Sequence, residues 1–123
     1  PDMLIITHGG NVTLALEAAE KFFIEEELLV NICVLSSVKP IDKEFILPIV
    51  KDCGKVLTIE ESNVIGGWGS ELSSMIQEEC FHYLKYPVQR LGSMDIPIPA
   101  SGPMEVEMLP SLEDIYKILN KMV

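Results

Sequence analysis

Lys55-Val56-Leu57-Thr58-Ile59-Glu60-Glu61 is the stretch on which the fold turns. Val56, Leu57 and Ile59 put apolar side chains on both faces of an extended chain. A strand with one wet face would alternate polar and apolar residues. This run reads instead as a strand buried on both sides, which is the signature of a parallel sheet sandwiched by helices. Gly54, just before it, is placed to end a helix. The residues after it, Glu61 to Ser70, include Gly66-Gly67-Trp68-Gly69 and read as a loop running into a long helix.

The same strand–helix alternation extends in both directions. Met3–Thr7 is a short apolar strand that stops before Gly9-Gly10. Asn11 is a candidate N-cap, and Val12, Ala15, Leu16, Ala19, Phe22 and Phe23 follow helical spacing. Glu25-Glu26-Glu27 closes that helix, and Leu28–Leu35 reads as the second strand. Ser36 to Pro40 is a loop. Asp42 can cap a helix that runs to about Lys51, with Pro48 expected to kink or weaken it. Beyond the third strand, Leu72, Met75, Ile76, Glu79 and Tyr83 follow the period of a long helix, with the charged Glu79 as the exception, so that Cys80 and Leu84 define its inner face there. Pro87–Leu91 is the fourth strand. Ser93 to Pro110 holds Pro97, Pro99, Pro103 and Pro110 and is expected to be an irregular arm. Ser111 with Asp114 resembles a capping box, and Ile115, Ile118, Leu119 and Met122 give the last helix its apolar face. Repeated strand–helix units with short connections imply an α/β fold with three layers. Right-handed crossovers then bring the loops after Thr7 and Glu60 to one edge of the sheet, where such folds bind ligands.

The chain has 123 residues, a length suited to one domain spanning 1–123. Its apolar runs fall far short of the ~20 residues needed to cross a bilayer. Nineteen acids against nine bases give a net charge of −10, which argues against nucleic acid or an anionic membrane as partner. Cys33, Cys53 and Cys80 are odd in number and show no C-x-x-C spacing, so zinc and a disulfide framework are not expected. A reducing compartment fits them. Pro1 is not an initiating residue, and the chain is expected to begin inside a longer protein.

Candidate chemistry is sparse. His8-Gly9-Gly10 can hold an anion on backbone N–H groups with His8 as acid, base or ligand, or its glycines simply make a turn. Gly67 opens a helix and can bind phosphate by the same physics, or the glycines there permit positive φ and close packing, with Trp68 a packing or interface anchor. Glu60 and Glu61 are neighbouring carboxylates, but adjacent residues of an extended segment point to opposite faces. They therefore suit helix-terminus electrostatics, a bond to a neighbouring subunit or solvation better than a catalytic dyad. No serine sits in a G-x-S-x-G setting, and His8 and His82 have no ligand spacing. On the residues alone, no catalytic or metal-ligating set emerges. The loops at His8 and Gly67 leave a small-ligand or regulatory module as an alternative reading.

Several segments, in order, resemble one family. They are Leu16-Glu17-Ala18-Ala19-Glu20, Val34 to Asp42, and Gly54 to Glu61 followed by Gly66-Gly67-Trp68-Gly69-Ser70-Glu71. Pro87 to Leu91, Asp95-Ile96-Pro97-Ile98-Pro99 and Leu109-Pro110 complete the set. Together they resemble the C-terminal domain of transketolase-like proteins, most nearly that of the beta subunits of pyruvate and branched-chain 2-oxoacid dehydrogenases. A transketolase, a deoxyxylulose-phosphate synthase or an oxoacid:ferredoxin oxidoreductase is a further possibility within the superfamily, against which the Asp95–Pro99 stretch argues. The resemblance implies four mainly parallel strands in the order second, first, third, fourth. The family's extra antiparallel strand is missing here, which would leave the second strand as an exposed edge. It also implies a subunit-interface domain that binds no cofactor itself, with thiamine diphosphate and magnesium held by other domains of the full enzyme. The implied partners are an alpha subunit, a second beta subunit and the basic subunit-binding domain of the acyltransferase core. The implied compartment is the bacterial cytoplasm, or alternatively the mitochondrial matrix.

Overall fold

The structure is a computed structural model that describes residues 1–36, 41–63, 67–93 and 110–123. Four strands form one parallel sheet: β1 (Met3–Thr7), β2 (Val30–Val34), β3 (Val56–Asn63) and β4 (Gln89–Ser93). Their spatial order is β2-β1-β3-β4, as the resemblance implies. The helices are α1 (Val12–Glu26), α2 (Lys43–Cys53), α3 (Trp68–Cys80) and α4 (Leu112–Lys121).

Two cores flank the sheet, and the parity of each strand residue decides which one it enters. Met3, Ile5, Val30, Leu57 and Ile59 pack under α1 and α4, against Ala15, Ala18, Phe22, Ile115, Leu119 and Met122. Leu4, Ile6, Cys33, Leu35 and Val56 face α2 and α3, against Ile46, Val50, Cys53, Leu72, Ile76 and Cys80. β1 is buried along its whole length, which explains its unbroken apolar run. The three thiols, all buried and free, sit in the second core. Burial pushes the thiols of Cys33 and Cys80 above the usual range, so they behave as small apolar groups.

Local signals set most boundaries. Asp42 caps α2 by accepting the Phe45 amide at 3.2 Å, and Gly54 ends it at φ +81°. A Cβ at Gly54 would also lie 2.7 Å from the Tyr83 carbonyl, so glycine is required there on two counts. Helix α2 continues through Pro48 to Cys53, without breaking at the proline. Ser111 and Asp114 form the expected capping box at α4.

Four expectations are corrected. Asn11 makes no side-chain cap; it closes a single 3-10 turn, Gly9–Asn11, and is buried there with its Nδ2 unpartnered. β2 begins at Val30, because Glu27 turns left-handed at φ 55° and Leu28–Leu29 only bridge to the strand. β3 runs on to Asn63, because Asn63 pairs with Ser93 of β4 after a register irregularity. The long helix stops at Cys80, and Phe81–Tyr83 form one 3-10 turn that leaves Tyr83 exposed. The loop at 37–40 and the proline-rich arm at 94–109 lie outside the described residues.

Candidate functional site

The carboxyl ends of β1, β2 and β3 are tied together by polar contacts. Thr7, fully buried, donates its hydroxyl to the Ile59 carbonyl at 3.0 Å. The Leu35 amide donates to the Thr7 carbonyl at 2.8 Å. His8 Nδ1 lies 2.7 Å from the Leu35 carbonyl. A carbonyl can only accept, so in this contact Nδ1 carries a proton and donates it. Gly9 takes φ +76° in the turn that follows, the left-handed conformation expected of a tight-turn glycine.

Glu60 sits on the other side of this edge, at the end of the run that identifies the sheet. Its side chain is fully buried. It accepts the Gly69 amide at 3.0 Å and Arg90 Nη2 at 2.9 Å. The first contact puts a carboxylate on the N-terminus of α3, where the helix dipole and free amides favour negative charge. The second ties β3 to β4, since Arg90 pairs with Thr58 in the ladder. Gly69 has no room for a side chain: a Cβ would lie 2.6 Å from Glu60 Oε1 and 3.1 Å from Thr58 Oγ1. Of the roles open to Glu60, helix-terminus electrostatics is the one its geometry carries.

The sequence-derived residues therefore divide. Glu60 and the glycine-rich helix start come together, but through Gly69 rather than Gly67. Gly67 caps α3 in extended backbone at φ −76°, so the positive φ expected of these glycines is not used there. The chain supplies its own anion at this helix terminus. Trp68 is half-buried and packs against the core under α2 and α3. Ile41, Trp68 and Met75 floor an open groove rimmed by Glu71, Glu78 and Glu79, where Lys43 pairs with Glu79 at 3.3 Å. His8 engages the β2 side of the edge. Glu61 lies in β3, and its side chain and Gly66 lie outside the described residues. Arg90 and Gly69 are the partners that sequence reasoning missed. Gly69 sits inside a recognised glycine cluster, whereas nothing local marks Arg90 as the mate of a residue in another strand.

Among the described residues no three His, Cys, Asp or Glu side chains converge on a metal position. Among the same residues no helix is long and apolar enough to cross a membrane.

A family model described as the transketolase C-terminal domain matches residues 1–115. The chain belongs to the transketolase C-terminal domain family. It is 34% identical over 116 residues to the mitochondrial pyruvate dehydrogenase E1 component subunit beta-1 of Arabidopsis thaliana, covering 94% of this chain and 32% of that protein. It is 31% identical over 117 residues to the E1 beta subunit of Rickettsia conorii, covering 95% of this chain and 36% of that one. The mitochondrial E1 beta subunit of Saccharomyces cerevisiae is 31% identical over 123 residues, covering 99% and 34%. Among solved structures, a split-gene transketolase described as an inactive beta4 tetramer superposes with a TM-score of 0.82 at 30% identity, over 98% of this chain and 39% of that one. A transketolase C-terminal domain of this kind thus spans about a third of the length of the curated relatives it matches.

Proposed function

We propose that this transketolase C-terminal domain is the assembly domain of a thiamine-diphosphate-dependent 2-oxoacid dehydrogenase, of the beta-subunit type, acting on pyruvate or a branched-chain 2-oxoacid. The observation that carries the proposal is the match of nearly the whole chain to E1 beta subunits. In this reading the full enzyme decarboxylates the 2-oxoacid and passes the acyl group to a lipoyl-protein. Thiamine diphosphate and magnesium are bound by other domains. Among the described residues no three His, Cys, Asp or Glu side chains gather at one point, and Glu60, buried at the sheet's carboxyl edge, is engaged with α3 and β4.

The domain's work is then to hold subunits together. Its partners are an alpha subunit, a second beta subunit and the basic subunit-binding domain of the acyltransferase core. A net charge of −10 supports the last of these, because opposite charge steers encounter and disfavours wrong partners. The compartment in this reading is the bacterial cytoplasm, with the mitochondrial matrix as the alternative; relatives of both kinds support it.

The test has two parts. The chain alone, given thiamine diphosphate, magnesium and pyruvate or a branched-chain 2-oxoacid, should release no carbon dioxide; turnover would overturn the assembly role. Mixed with the pyrimidine-binding part of a beta subunit and its alpha subunit, the chain should co-elute with them. Failure of a folded chain to do so would sink the proposal independently.

A further inference from the structure

We draw no further inference here: the strongest candidate, the open groove along α3 floored by Ile41, Trp68 and Met75 and rimmed by Glu71, Glu78 and Glu79, carries none, because nothing in the structure shows what covers it and its acidic rim points no further than the basic partner already proposed for this domain.

Discussion

The Glu60 carboxylate and the Gly69 amide meet at 3.0 Å in the protein interior, and the same carboxylate holds Arg90 at 2.9 Å. One side chain thus joins the start of α3 to two adjacent strands. Gly69 is where it is because a Cβ would lie 2.6 Å from that carboxylate. Gly69→Ala must push aside an oxygen that Arg90 holds in place. It should cost about 1–3 kcal/mol in urea unfolding, the usual range for overpacking. Glu60→Ala should cost more, about 3–5 kcal/mol, because it removes the buried carboxylate that joins Arg90 to the Gly69 amide. A Glu60→Ala loss below about 1 kcal/mol would show that these bonds contribute little.

Thr58 presents the opposite case. It is fully buried, and its hydroxyl has no hydrogen-bond partner. Thr58→Val removes an unmet polar group while keeping the branched shape. Stability should be unchanged or rise by about 1 kcal/mol in the same unfolding assay. A clear loss would mean that the hydroxyl is bonded, for instance through an internal water.

Tyr116 ties α4 to α1 through a hydrogen bond to Glu25, with Lys21 over its ring at 4.6 Å. The bond to Glu25, then desolvation, then the negative charges of Glu25 and Glu26 push its hydroxyl up to about 12. An unfolded tyrosine ionises near pH 10. Between those values the unfolded chain releases a proton that the folded chain keeps, so folding weakens as pH rises. The stabilisation is complete below about pH 10 and is lost as pH climbs through about 12. Denaturation at a series of alkaline pH values should show this slope, and Tyr116→Phe should flatten it. An equal slope in both proteins would assign the effect to other groups.

The capping box of α4 gives a local test. Ser111 accepts the Asp114 amide at 3.2 Å, and Asp114 accepts the Ser111 amide at the same distance. Ser111→Ala should cost about 1 kcal/mol, read as a lower thermal midpoint. Ser111→Asp should restore most of that loss. If Ser111→Asp performs no better than alanine, the side-chain cap is not what holds this terminus.

Much of the fold is legible in the sequence because its signals are local. Unbroken apolar runs mark β1 and β3, Asp42 and Ser111 announce helix starts, and Gly54 marks a helix end. Where a reading fails, a tertiary contact has overridden a local preference. Asn11 has the right chemistry for a cap, but the turn at Gly9–Asn11 buries it instead. Glu61 to Asn63 look like loop because they are polar, yet β3 extends through them, with Asn63 partnered by β4.

The sequence by itself determined that strands and helices alternate, that the sheet is covered on both faces, and which glycine cluster opens α3. Periodicity, caps and turn residues act within a few positions of one another, so they can be read in order along the chain. Only the tertiary structure decided what Glu60 does. Its partners lie 9 and 30 residues away, on a helix terminus and a neighbouring strand. Nothing in Lys55–Glu61 distinguishes a carboxylate left in solvent from one folded inward. That choice rests on Arg90 and the Gly69 amide arriving together, which repay the desolvation of a buried charge.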